Sequence, residues 1–194
     1  FGLARPTGIE LPYEESGFLP HPLWKKVYRL QKWFEGDTAN FSIGQGDVLA
    51  TPIQLLRMVA VFANKGFLVT PHIIKAIDGK EPAYYHKKIS MVNLREGTLN
   101  YIKGALRDTV ADSSGTAFVL SGLPVALAGK TGTAQVSRGQ PHGWFAGFFP
   151  FKNPKFVICV FLENGGSGTA ASVVTRQIIQ GMADNNLLED KGQG

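Results

Sequence analysis

Apolar residues recur at three- and four-residue spacing after Thr51, and that run predicts a helix. Thr51 is a good N-cap, Pro52 suits the first helical position, and Gln54 completes a Thr-x-x-Gln capping box. Ile53, Leu56, Ala60 and Ala63 form the expected apolar face, and Gly66 marks the stop. Phe67 to Ile77 reads as β-rich, with Phe67-Leu68-Val69-Thr70 and Ile73-Ile74 as its apolar pieces. A second amphipathic helix is expected over about Arg95 to Val110, with Leu99, Ile102 and Leu106 on one face.

The period changes after the polar loop Ser113-Ser114-Gly115-Thr116. Ala126 to Val136, Gly143 to Phe149 and Lys155 to Glu163 read as three strands, broken by Gly139-Gln140-Pro141 and by Pro150 with Asn153-Pro154. Connections this short favour antiparallel neighbours, because a parallel crossover needs a dozen residues or more. Thr169 is placed to cap a last helix running to about Ala183, with Val173, Ile178 and Met182 as its apolar face. Residues 1–40 carry Pro6, Pro12, Pro20 and Pro22 and read as extended loop and turns, anchored by Trp24, Tyr28, Leu30, Trp33 and Phe34. The tail after Glu189 is expected to fray. Three antiparallel strands and a covering helix are the picture that results.

Composition narrows the function classes. The chain has 194 residues, 44% of them hydrophobic and 18% charged, enough apolar material for a core and ordinary for a globular domain. It has no apolar run of membrane-spanning length and no signal-peptide pattern. Beginning as it does with Phe1-Gly2-Leu3-Ala4, it is expected to be a piece of a larger protein. The net charge of +5 is dispersed, with Lys25-Lys26 and Lys87-Lys88 its densest spots, which argues for a solvated surface and against a nucleic-acid stripe. Cys159 is the single cysteine and lies in the apolar run Phe156 to Phe161, so it reads as a small buried hydrophobe. The histidines, His21, His72, His86 and His142, lack metal-ligand spacing, so no metal is expected.

Candidate chemistry concentrates in Gly129-Lys130-Thr131-Gly132-Thr133-Ala134-Gln135. On a strand, Thr131 and Thr133 project to one side, so two hydroxyls can hold one carboxylate together. Lys130 adds a positive charge, able to bind an anion or to favour proton transfer from a hydroxyl. Gly132 lets a substrate backbone lie close, and the amide of Thr133 can serve as an oxyanion donor. A phosphate-binding P-loop is excluded: its first glycine would fall at Pro124, and a strand, not a helix, follows the motif. In isolation the tetrapeptide would be a chance match on a surface strand.

Its surroundings are more specific. Ala128 to Gln135, followed by Trp144-Phe145-Ala146-Gly147-Phe148 on the next strand, resembles the penicillin-binding protein and serine β-lactamase superfamily. Gly36-Asp37-Thr38, Ser42-Ile43-Gly44-Gln45-Gly46 and Thr51-Pro52 resemble the segment that class B transpeptidases place between their second and third motifs. Thr7-Gly8-Ile9-Glu10-Leu11-Pro12 resembles the stretch just after the second motif. Together with Glu163-Asn164-Gly165-Gly166, these segments most resemble the elongation-type class B enzymes.

The resemblance implies an α/β (α+β) fold, an antiparallel sheet flanked by helices, of which residues 1–194 would be the C-terminal part of one transpeptidase domain. It implies a peptidoglycan D,D-transpeptidase that works through an acyl-serine and is acylated by β-lactams. Lys130 would act in electrostatics and proton relay. Thr131 and Thr133 would bind the substrate carboxylate, the Thr133 amide would complete the oxyanion hole, and Gly132 would give clearance. His142 and Trp144 are candidates for the border of the cleft, against plainer roles as a loop histidine and a core aromatic. Asp37, Thr38, Ser42 and Gln45 would hold loops. No cofactor is implied. The expected partners are a stem peptide ending in D-Ala-D-Ala, the upstream half of the domain and an elongation glycosyltransferase. The expected location is the periplasmic side of the inner membrane, on a single anchor outside this chain.

The pattern breaks in one respect. No serine here has Lys three positions on or Asn two positions on, so the Ser-x-x-Lys nucleophile and the Ser-x-Asn are absent from these residues. In the family both lie upstream, so truncation is the expectation and the piece alone is expected to be inactive. The rival reading is a non-catalytic module kept for protein contacts, with a nucleic-acid binder a distant third.

Overall fold

The computed structural model describes residues 1–82 and 88–188. The expected tail from Glu189 lies outside them. The chain divides into two compact units, residues 1–61 with 66–93, and residues 62–65 with 94–194.

In the first unit, residues 1–40 are more regular than their prolines suggest. Helix α1 (Pro22–Tyr28) starts where His21 Nδ1 accepts the Trp24 N–H at 3.3 Å, with Pro22 in the first turn. Helix α2 (Glu35–Ser42) takes in Asp37, Thr38 and Ser42, which were expected to hold loops. Asp37 accepts the Phe34 N–H at 2.7 Å and the Lys25 ammonium at 2.5 Å, and Glu35 and Asp37 lie at the positive end of the helix dipole. Side-chain acceptors at both N-termini thus override the loop signal of the prolines.

Helix α3 (Pro52–Ala63) has the expected capping box: the Gln54 N–H meets Thr51 Oγ1 at 3.3 Å, and the Thr51 N–H meets Gln54 Oε1 at 3.0 Å. Its buried face differs from the expected one. Gln54, Arg57, Val59, Ala60 and Val61 are buried, and only Ala60 of the predicted face is among them. Polar side chains turn inward because loop carbonyls await them. Gln54 Nε2 donates to Arg5 O at 2.9 Å and Ser16 O at 2.7 Å, and Arg57 Nε donates to Val69 O at 2.7 Å. Strand β1 (Phe67–Val69) pairs antiparallel with β2 (Lys88–Met91), Phe67 opposite Met91. Ile73-Ile74 is not a strand. Pro71 has no N–H for a ladder, and the Ile73 N–H goes to Glu10 Oε2 at 3.1 Å.

The second unit follows the expected plan. Helix α4 (Glu96–Ala111) buries Leu99 and Val110, with Ile102 and Leu106 half-buried. Strands β3 (Ala128–Ala134), β4 (His142–Phe149) and β5 (Phe156–Leu162) form an antiparallel sheet in that order. Helix α5 (Gly168–Asp184) is capped by Ser167 Oγ on the Ala170 N–H at 3.3 Å, two residues before the predicted Thr169. Its inner face is Ala171, Ser172, Thr175 and Ile179. The predicted Val173 and Ile178 are 42% and 43% exposed, while Met182 packs on the core. Ser172 and Thr175 can face inward because their hydroxyls donate to the carbonyls of Gly168 and Ala171 within the helix. The core gathers Val110, Leu120, Leu127, Phe145, Phe149, Val160 and Ile179, each large apolar side chain contributing on the order of 1.5–3 kcal/mol by its burial.

Two expectations follow for the first unit. Gln54→Leu orphans the Arg5 and Ser16 carbonyls and lowers stability by about 2–4 kcal/mol in urea unfolding read by tryptophan fluorescence. Asp37 titrates below its ordinary value of 3.8, held there by the Lys25 ammonium and the Phe34 N–H. A depressed carboxyl stabilises the fold above its unfolded pKa, and that contribution disappears as pH falls through the folded value. The stability gap between wild type and Asp37→Asn should therefore be full at pH 7 and close below about pH 4 in acid titrations.

Candidate functional site on the Lys-Thr-Gly strand

The hairpin β3–β4 places Gly132 opposite Trp144 and Thr131 opposite Phe145. Alternation then puts Thr131 and Thr133 on the face that α5 covers, as the spacing predicts. Gly132 lies on the other face, where a Cβ would come 3.3 Å from that of Trp144.

Each hydroxyl meets a protein partner that the sequence did not announce. Thr131, buried, has its Oγ1 2.6 Å from Thr116 Oγ1. Thr133, exposed, accepts the N–H of Gly168 at 3.1 Å. The Lys130 ammonium donates to the Thr131 carbonyl at 2.6 Å. In an antiparallel strand, residues two apart aim their backbone groups at the same edge. The Lys130 ammonium is thus drawn to the edge toward which the Thr133 amide points.

Close approach of α5 makes this possible. A Cβ on Gly168 would lie 2.8 Å from both the Gly132 oxygen and the Thr131 Cβ. Thr116 is delivered by the turn after α4. The Ser114 N–H and hydroxyl both donate to Asp112 Oδ1 at 2.7 Å, which holds that carboxyl below its ordinary value. Gly115 rests on the last turn of α4, where a Cβ would come 2.8 Å from the Asp108 carbonyl.

The other candidates have structural partners. His142 opens β4 opposite Ala134, on a strand and not in the expected loop. Its Nδ1 accepts the Asn164 N–H at 2.9 Å, which leaves the ring proton on Nε2, and its edge meets Phe161 at 5.2 Å. Trp144 is half-buried, on the Gly132 face, and packs on Phe161 with ring centres 4.2 Å apart. Cys159 is half-buried on β5, and desolvation pushes its thiol up to about 11, so it is no nucleophile at neutral pH. Among the described residues, no cluster of three His, Cys, Asp or Glu side chains is placed to hold a metal, and no helix is long and apolar enough to cross a membrane.

The antiparallel sheet, flanked by helices, thus carries Lys-Thr-Gly-Thr on its end strand. Residues 1–180 match the penicillin-binding protein transpeptidase domain, and the chain belongs to that family. Within the family it resembles PBP2 (MrdA) proteins. It is 34% identical to the peptidoglycan D,D-transpeptidase MrdA of Acinetobacter baumannii over 92% of this chain and 29% of that protein. It is 32% identical to MrdA of Escherichia coli over 96% of this chain and 33% of that protein. The solved structure of Pseudomonas aeruginosa PBP2 in complex with WCK 5153 superposes with a TM-score of 0.85, at 35% identity, over 99% of this chain and 41% of that one. Helicobacter pylori PBP2, solved in complex with MreC, gives 0.82 at 32% identity over 96% of this chain and 34% of that one. The chain therefore spans about a third of the length of those MrdA relatives, 29% and 33%.

Gly168→Ala tests the close approach of α5. The added methyl must displace β3 or the helix, at a cost of about 1–3 kcal/mol. We expect a lower melting temperature and an altered near-ultraviolet signal from Trp144.

Proposed function

We propose that residues 1–194 are the C-terminal part of one transpeptidase domain and supply the Lys-Thr-Gly wall of a serine D,D-transpeptidase site. The observation that carries this reading is the arrangement on β3: two threonine hydroxyls on one face, and the Lys130 ammonium on the Thr131 carbonyl. The Ser-x-x-Lys and Ser-x-Asn come from the upstream part of the same domain.

In this reading the upstream serine attacks the penultimate D-Ala carbonyl of a stem peptide. The Ser–acyl bond forms, the bond to the terminal D-Ala breaks, and that D-Ala leaves as the free amine after taking up a proton. The amine of a second stem then attacks the ester, forming the cross-link and returning the serine with its proton. Thr131 and Thr133 bind the terminal carboxylate, and the Lys130 charge favours both that carboxylate and proton transfer through the neighbouring hydroxyls. The Thr133 amide stabilises the tetrahedral oxyanion once the substrate lies along the edge. Gly132 leaves room for that substrate against the strand, and Trp144 and His142 border the cleft on the far side of the hairpin. A β-lactam enters as the first substrate and stops at the acyl stage.

The intact protein then acts on the periplasmic face of the inner membrane from a single anchor, beside an elongation glycosyltransferase. The Helicobacter pylori PBP2 solved in complex with MreC supports MreC as a further partner.

Fluorescent penicillin tests the reading. The full-length protein should be labelled covalently and residues 1–194 alone should not. Lys130→Ala in the full-length protein should slow labelling by about 10²–10⁴-fold. Labelling of the isolated piece, or a full-length protein that takes up no label, would replace this reading with that of a non-catalytic module in the second case and of another nucleophile in the first.

A further inference from the structure

Thr116 lies outside every segment that the sequence marks as chemical, yet its hydroxyl touches the most buried polar group of the Lys-Thr-Gly strand. We propose that Thr116 is a positioning residue: its hydroxyl donates to Thr131 Oγ1 and so turns the Thr131 proton toward the ligand carboxylate. This inference rests on the carboxylate-binding role proposed above for Thr131 and Thr133.

A threonine hydroxyl has one proton to give and two lone pairs to receive. Thr133 Oγ1 already accepts the Gly168 N–H, so its own proton is directed elsewhere, and the exposed side of the strand is where a carboxylate would meet it. Thr131 Oγ1 has Thr116 Oγ1 at 2.6 Å, and either oxygen of that pair can be the donor. If Thr131 donates to Thr116, its proton is not available to the carboxylate. If Thr116 donates, two parallel relays converge on one anion: Gly168 N–H to Thr133 to carboxylate, and Thr116 to Thr131 to carboxylate. An approaching anion selects the second arrangement, because a carboxylate is a far better acceptor than a neutral hydroxyl, and each relay strengthens along its length.

The surroundings hold Thr116 for this task. Thr131 is only 9% exposed, so water competes poorly for its lone pairs. Thr116 is exposed, so solvent can reach its lone pairs when its proton turns inward. Its backbone is fixed from both sides: the Gly115 N–H donates to Asp112 O at 2.9 Å and the Ala117 N–H to Thr109 O at 3.1 Å. The short turn of Asp112, Ser114 and Gly115 thereby brings one hydroxyl from the end of α4 to the middle of β3.

The test compares Thr116→Val, which keeps the shape and loses the donor, with Thr116→Ser, which keeps the donor, in the full-length protein. Stopped-flow acylation by benzylpenicillin separates its pre-acylation dissociation constant from its acylation rate constant. The methyl ester of the same penicillin, lacking the carboxylate charge, is the second probe. Thr116→Val should weaken binding of the free acid by roughly five- to twentyfold, the worth of a hydrogen bond or slightly more, and leave the ester unchanged. Thr116→Ser should stay within about twofold of wild type for both probes. A Thr116→Val protein that matches wild type, or that loses acid and ester equally as a merely loosened fold would, overturns the inference while the proposed function stands. A wild-type protein that neither probe acylates sinks the proposed function and this inference with it.

Discussion

The architecture around β3 depends on how closely the N-terminus of α5 approaches the strand. Gly168 sits where any Cβ would collide with the Gly132 backbone and with the Thr131 side chain. That proximity sets the rest. It brings the Gly168 N–H to Thr133, allows Ser172 and Thr175 to occupy a buried helix face, and lets Ile179 reach the core that Phe145 and Phe149 form from β4. The small inner face of α5 is a requirement of the distance and not a weakness of the helix. Larger side chains on that face would lift the helix off the sheet and withdraw its amide from the threonine.

The two faces of the sheet carry different duties as a result. The α5 face buries Phe145 and Phe149, and its hydroxyls at Thr131, Ser172 and Thr175 have partners inside the protein, while Thr133 at its end is exposed. The opposite face bears Gly132, Trp144 and Phe161, where a ring stack borders a residue without a side chain. Lys130 belongs by alternation to that second face but returns its ammonium to the strand through the Thr131 carbonyl. A single strand can thus present charge, hydroxyls and a clear backbone within four residues, because period-two alternation separates them and two neighbouring elements supply their partners.

The sequence reading succeeded where the signal was local. Helix α3 announced its start in Thr51, Pro52 and Gln54, and three short apolar runs with close breaks specified an antiparallel sheet. The expected face of α4 is the inward one, with Leu99 buried and Ile102 and Leu106 half-buried. It failed for α3 and α5 for one shared reason. Hydrophobic periodicity cannot foresee that Gln54 will turn inward to the Arg5 and Ser16 carbonyls, or that small hydroxylated residues will be preferred where a helix must lie close. Within residues 1–40 the prolines signal loop, but the side-chain acceptors of His21 and Asp37 start α1 and α2 there. Thr116 was missed because its partner is fifteen positions away and nothing but the fold joins them.

By itself the sequence determined the type of fold and the chemical alphabet of the site. Lys130, Thr131, Gly132 and Thr133 are adjacent in the chain, so their alternation and spacing are fixed as soon as the segment is a strand. The tertiary structure alone decided which partner each hydroxyl meets. That depends on the Thr116 oxygen and the Gly168 amide, which arrive from the end of α4 and the start of α5. Hydrogen-bond direction is a property of what stands opposite a group in space, and no local pattern along the chain records it.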